Sequence, residues 1–380
     1  MTWRGDSIHD LTGVLRALRA AVAESAYPLR LPSAEPARAD AVALIQQVDD
    51  YLLPRLERLD APLLAVVGGA TGSGKSTLVN SLAQAPVSPA GVVRPTTRSP
   101  VLICHPNDAR WFRGGTRLGG FTRPAGRRTT DPYRMQVVAA PALPPGLALL
   151  DTPDVDSVVE SHREVAAQLL AAADLWLFVT TASRYADAVP WQFLQEARDR
   201  GTVVAVILNR VPDQANQEVA EHLTDMLSRR GFVGAPLFVM PETWADRQGM
   251  LPERVTASLR EWLHALAADG DARSAVTRLT LDGALAALTD RVERLAEAGG
   301  EQRAAAEQLA EQVGLAYGTA RSTVEYGIRS GTLLRGEVLA RWEELWRDGE
   351  WARIVAAAVT TWPGATSDAT MPAPRDRDRI

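Results

Sequence analysis

The sequence predicts an α/β fold, a mostly parallel sheet covered by helices on both faces, flanked by N-terminal helices and a C-terminal helical bundle. Three observations predict it. An apolar run at 63–67 leads into the glycine-rich stretch Gly69-Ala70-Thr71-Gly72-Ser73-Gly74-Lys75-Ser76 and then into a helical pattern at 76–82. Further apolar runs alternate with helical stretches as far as residue 250 or so. Beyond Pro252 the apolar runs stop, and long Ala/Leu/Glu/Arg-rich stretches take over.

Taken in order, residues 8–27 and 37–59 carry helical periodicity, with Leu11, Val14, Leu15 and Leu18 on one stripe and a break between Pro32 and Pro36. Strands are expected at 63–67, 101–105, 147–150, 175–179, 203–208 and 237–240, with helices around 157–173, 190–200 and 214–230. The C-terminal part reads as helices at 253–268, 271–297, 301–328 and 332–360, separated at Gly299-Gly300 and Gly331. Residues 363–380 have the composition of a frayed tail. The expected domains are therefore 1–60 for the N-terminal helices, 61–252 for the sheet domain, 253–362 for the helical domain and 363–380 for the tail.

At 380 residues the chain is too long for one small core. Its 23% charged and 46% hydrophobic residues are ordinary for a globular protein, and a net charge of −5 provides no pull toward nucleic acid, so such a partner is not expected. The single cysteine, Cys104, excludes an internal disulfide framework, fits a reducing compartment and sits in a run that reads as a buried strand. The first residues lack the apolar stretch of a signal peptide, and no run approaches the ~20 apolar residues of a spanning helix. A cytoplasmic location is expected, with peripheral membrane contact left open. The five histidines are scattered without metal-ligand spacing.

Of the 41 basic side chains, Lys75 is the only lysine, and it stands in G-x-x-x-x-G-K-[ST], a phosphate-binding loop. A compact ammonium on a flexible stem reaches between β- and γ-phosphates where a planar guanidinium does not. Glycines 69, 72 and 74 let the backbone curl so that its N–H groups face phosphate oxygens, and the following helix adds the positive end of its dipole. Gly69, Ala70, Thr71, Gly72, Ser73, Gly74, Lys75, Ser76 and Thr77 are thus the candidate phosphate-binding residues.

Asp151 ends an apolar run and places a carboxylate where it can hold Mg²⁺ opposite the Ser76 hydroxyl. Between the two lies Arg94-Pro95-Thr96-Thr97-Arg98-Ser99-Pro100, in which Thr97, with Thr96 beside it, can bind Mg²⁺ and sense the terminal phosphate; the alternative is a Pro-bounded connector. After the run at 203–208 comes Asn209-Arg210-Val211-Pro212-Asp213. There Asn209 can brace the loop, the stem of Arg210 can lie over a purine, and Asp213 can accept from guanine N1–H and its exocyclic amine.

With these elements in order, residues 62–250 resemble the P-loop GTPases of the translation-factor branch, most of all the bacterial dynamin-like and Era-like groups. Asp-Thr-Pro-Asp-Val-Asp-Ser at 151–157, followed by Ala-Asp-Leu-Trp-Leu-Phe-Val-Thr-Thr at 173–181, further resembles a group of actinobacterial dynamin-family GTPases. The resemblance implies a P-loop NTPase G domain that takes GTP with Mg²⁺ and hydrolyses it to GDP and phosphate. Lys75 and Thr97 would then be catalytic, and Ser76, Thr97 and Asp151 would form the metal site. It leaves open a homodimer through the G domains.

The departures are specific. The family's Asp-x-x-Gly has Asp154 in place of glycine, Val155 stands where other enzymes carry a water-orienting glutamine, and Gly72 stands where dynamins carry a catalytic serine. Asn-Lys-x-Asp appears with Arg210 for lysine and Asp213 one place late. Two other readings therefore stay open: an ATP-binding P-loop ATPase or kinase, and a nucleotide-loaded interaction module with negligible hydrolysis.

Between residues 110 and 134 lie seven arginines against one acidic residue, Asp131. Such a segment can hold acidic headgroups, touch RNA phosphates or supply an arginine across a dimer; it also reads as a solvated insertion. Trp342, Trp346 and Trp351 invite a membrane reading, but with Leu339 and Leu345 they make a buried helix face.

Overall fold

The computed structural model describes residues 5–89, 99–113, 118, 121–122, 131–157 and 160–332, with a few single positions between 336 and 357. Seven strands form one sheet: β1 (Leu63–Gly69), β2 (Val101–Cys104), β3 (Gln136–Ala139), β4 (Leu147–Asp151), β5 (Leu175–Thr181), β6 (Val203–Val211) and β7 (Leu237–Pro241), in the order β3-β2-β4-β1-β5-β6-β7. The five from β4 to β7 run parallel, and β2 joins β4 antiparallel with β3 parallel to it at the edge. This is the mostly parallel, helix-covered sheet that the sequence predicts. The addition is β3, an edge strand of four residues, none of them buried, whose apolar run is too short to stand out as the central strands do.

The period of two along each strand builds the two layers. On one face Leu64, Val66, Leu150, Trp176, Phe178 and Val206 pack with α6 (Glu160–Ala171), α7 (Ala188–Asp199) and α8 (Asn216–Arg229). On the other, Leu63, Ala65, Val67, Leu149, Leu177 and Ile207 meet α4 (Lys75–Ala83) and α9 (Glu253–Ala268). Burial on both faces explains why the central strands read as unbroken apolar runs. Cys104 is buried in β2, and loss of water pushes its thiol up to about 11.

The N-terminal helices α1 (Gly5–Glu24), α2 (Ala34–Gln47) and α3 (Leu53–Leu56), with a π-helical turn at Val48–Leu52, pack Leu15, Leu44, Val48 and Leu52 against Leu281, Leu288 and Leu295 of α10 (Gly270–Arg329). Here the structure departs from the sequence reading: Gly299-Gly300 do not break the chain, and α10 runs through them for 60 residues. Glycine weakens a helix but does not forbid it, and a β-carbon at either position would meet nothing within 4 Å. The chain forms two compact units, Met1–Gln302 and Arg303–Ile380. The expected tail and the tryptophans at 342, 346 and 351 lie outside the described residues.

An ion pair fastens the first unit at the end of the sheet where the parallel strands begin. Arg55 of α3 lies 3.1 Å from Asp174, with both side chains almost fully buried, and donates to the Ala61 carbonyl at 3.0 Å and the Thr277 hydroxyl at 2.7 Å. Asp174 accepts in turn from the Leu64 N–H at 2.8 Å. At the same end Gly201 and Gly283 pass so closely that a β-carbon on Gly283 would lie 2.6 Å from the Gly201 carbonyl oxygen.

Candidate functional site

The candidate site lies at the opposite end, where β1 gives way to α4. Gly74 caps the helix at φ 96°, a left-handed conformation that glycine adopts without strain. It also has no room for a side chain, since a β-carbon would lie 2.5 Å from the Asn209 amide nitrogen. That amide donates to the Ser73 carbonyl at 2.8 Å, so Asn209 braces the loop from the end of β6.

Lys75 is buried, and its ammonium curls back over the loop to donate to the carbonyls of Gly69 at 2.8 Å and Ala70 at 3.1 Å and to Asp154 Oδ1 at 2.5 Å. Ser76, the second residue of the helix, and Ser88, beyond its end, both direct hydroxyls at Asp151. Ser88 Oγ is 2.5 Å from Asp151 Oδ2. Burial pushes the Asp151 carboxyl above its usual range, while Ser88, Ser76 and the Lys75 ammonium oppose the rise. The other oxygen, Oδ1, is buried without a hydrogen-bond partner.

That orphaned oxygen bears on whether Mg²⁺ fits here. A carboxylate oxygen without a donor, beside a serine hydroxyl and a phosphate-binding loop, is the hard-oxygen donor set that Mg²⁺ shares with substrate phosphates and water. Among the described residues no cluster of three acidic, histidine or cysteine side chains forms a self-contained metal cage. A site completed by phosphate does not require one. The residues present fit the ion.

Ser88 was not legible in the sequence. It is held by Asn80 of α4, whose side chain donates to the Ser88 carbonyl at 2.9 Å and accepts from the Ser88 N–H at 2.8 Å. Asp156 was missed too. Its Oδ1 accepts from the Thr71 N–H at 2.5 Å and hydroxyl at 2.7 Å, and its Oδ2 from Arg184 at 3.2 Å. Burial would raise its carboxyl, but Thr71 and Arg184 hold it below the ordinary range. Arg184 also donates to the Thr71 carbonyl at 3.1 Å and to Asp187 at 2.9 Å.

Of the sequence candidates, Gly69, Ala70, Thr71, Gly72, Ser73, Gly74, Lys75, Ser76 and Thr77 form one continuous turn from β1 into α4, with Asp151 and Asn209 against it. Arg210 and Asp213 are exposed. Thr97 and Thr96 lie outside the described residues. So do Arg117, Arg123, Arg127 and Arg128 of the basic segment, while its beginning is a short helix, α5 (Ala109–Arg113), with Phe112 buried.

The end of β6 has a further irregularity. Leu208 pairs with Val239 and Val211 with Pro241, so β6 spends three steps against two on β7. The extra residue forms a bulge in which Arg210 takes φ 54° and donates its N–H to Asn209 Oδ1 at 2.9 Å.

No family model matches the chain. It is 27% identical over 171 residues to a probable FZO-like transmembrane GTPase of the chloroplast from Arabidopsis thaliana, a stretch that is 45% of this chain and 17% of that protein. The chain thus spans less than a fifth of the relative's length. Solved structures similar to it include Era in complex with MgGDPNP and a piece of 16S ribosomal RNA, at 20% identity and a TM-score of 0.33 over 48% of this chain and 51% of that one. A member of an oligomerised bacterial dynamin pair aligns at 11% identity and a TM-score of 0.41 over 88% of this chain and 53% of that one. Around its loop, the chain has the strand, glycine turn and helix that the sequence pattern predicts, and the curated relative it matches is described as a probable GTPase.

Proposed function

We propose that residues 61–252 bind GTP with Mg²⁺ and hydrolyse it to GDP and phosphate, the nucleotide state being passed to the helices on either side. The observation that carries this reading is the buried Lys75 ammonium lying within a glycine turn beside a buried carboxylate oxygen without a partner. Lys75 and the loop N–H groups would hold the β- and γ-phosphates, and the N-terminus of α4 adds favourable field. Ser76, Asp151 and Thr97 would hold the metal, which when bound neutralises charge developing on the phosphate oxygens. Lys75 and Thr97 are the proposed catalytic pair.

Guanine is preferred in this reading because the bulge takes up the one residue by which Asp213 stands late. Beyond the bulge Asp213 opens a short 3₁₀ turn, Asp213–Ala215, at the end of the sheet that holds the loop. Its carboxylate would accept from guanine N1–H and the exocyclic amine, two donors that adenine does not offer on that edge. Arg210 would cover the base with its stem, and Asn209 keeps the loop in place.

Lys75→Ala is expected to weaken GTP binding at least about a hundredfold by calorimetry, since a charge-assisted contact to phosphate is lost. Unchanged affinity would end the proposal. Displacement of labelled GTP by GDP but not by ATP is expected; equal displacement by ATP would replace the guanine reading with the ATPase one. Multiple-turnover phosphate release separates an enzyme from a nucleotide-loaded module. No described helix is long and apolar enough to cross a membrane. Peripheral membrane contact is tested by liposome flotation with and without GTP.

A further inference from the structure

From the last residue of β4 onward the chain carries three aspartates in six residues, Asp151, Asp154 and Asp156, and only the first is needed for a metal. The other two turn back onto the phosphate loop. Asp154 meets the ammonium of Lys75 at 2.5 Å, with side-chain exposures of 11% and 3%, and Asp156 meets the N–H and hydroxyl of Thr71. The Val155 N–H between them points at the Gly69 carbonyl at 3.5 Å. An ammonium and a loop N–H are the two kinds of group that a polyphosphate must engage. Here each already holds a carboxylate oxygen.

The two contacts differ in anchorage. Asp156 is tied by Arg184, which also holds the Thr71 carbonyl and Asp187, so it belongs to a braced corner of the fold. Asp154 has the Lys75 ammonium as its ion-pair partner and stands where a terminal phosphate would need that same ammonium. Two anionic groups in a buried site cannot share one cation at little cost. A diphosphate, which lacks the terminal group, leaves the carboxylate nearer its place.

Resting on the nucleotide reading above, we propose that Asp154 is a specificity-determining residue that competes with the terminal phosphate for Lys75, so that a triphosphate must expel it and a diphosphate need not. In this chain the third position after Asp151 thus acts as an internal anion that favours the diphosphate state. A purely structural ion pair would behave differently, because its loss would alter stability and change both affinities alike.

The test is calorimetry on the full chain with GDP and with a non-hydrolysable GTP analogue, both with Mg²⁺, for the natural protein and Asp154→Asn. The substitution removes the charge and keeps the shape. The analogue is expected to tighten by about tenfold relative to GDP, within the usual span of coupling between two sites. Equal changes for both nucleotides would overturn the proposal while leaving nucleotide binding intact. If neither protein binds either nucleotide, the reading it rests on fails and takes it along. Should the variant not fold, hydrogen exchange of peptides covering 151–157 in the natural protein decides. Exchange that differs from the nucleotide-free state with the analogue and not with GDP supports the competition, and an identical pattern with both overturns it.

Discussion

Two buried ion pairs stand at opposite ends of the same sheet, and they are built differently. Arg55 and Asp174, where the parallel strands begin, are braced from outside the pair: the guanidinium also serves Ala61 and Thr277, and the carboxylate also serves the Leu64 amide. Lys75 and Asp154, at the strand ends, rest on two loop carbonyls and each other. A buried pair yields little net stability by itself, and its cross-bracing decides whether it can be opened. The first joins α3, the starts of β1 and β5, and α10. The second can be exchanged for a ligand.

The sharpest way to break this comparison is Arg55→Ala. It leaves Asp174 buried without its cation, and a loss of about 3–5 kcal/mol is expected in denaturant melts. Asp154→Asn should cost much less, because the neutral amide still accepts from Lys75. If the two losses were equal, the contrast between a fastened and an exchangeable pair would vanish. A step down in size is Gly283→Ala, whose new methyl would press on the Gly201 backbone; about 1–3 kcal/mol is expected from overpacking, with nucleotide affinity unaltered. A matching loss of affinity would mean that the two ends are coupled.

The smallest effect concerns acid. The Asp156 carboxyl is held below its usual value despite burial, so its contribution is fully present above the unfolded carboxylate value of about 3.9 and fades as pH falls through the folded one. The difference in melting temperature between the natural protein and Asp156→Asn should therefore be constant near neutrality and shrink in strong acid. A difference that instead grew with acid would reverse the sign of the argument.

Six of the seven strands were legible because each is an apolar run flanked by breaks, a signal that burial on both faces imposes on the central ones. Gln136–Ala139 left a weaker signal, since an edge strand of four residues, none of them buried, gives only a short run. The phosphate loop, Asp151 and Asn209 could be read from spacing, because a phosphate site needs fixed residue types at strand ends. Ser88, Asp156 and Arg184 could not. Their roles depend on which side chain each meets after folding: Asn80 aims Ser88, and Thr71 receives Asp156 from 85 positions away. The bulge at Arg210 left one clue, the late aspartate, whose meaning becomes visible only against β7.

A last consequence comes from the scarcity of lysine. With one ε-amine in 380 residues, an acylating reagent finds a single internal target besides any free chain terminus, and that target is the nitrogen covered by Asp154. Its modification appears as one mass increment on one peptide. The chain thus carries its own reporter of whether the loop is closed by its own carboxylate, filled by phosphate or open to reagent.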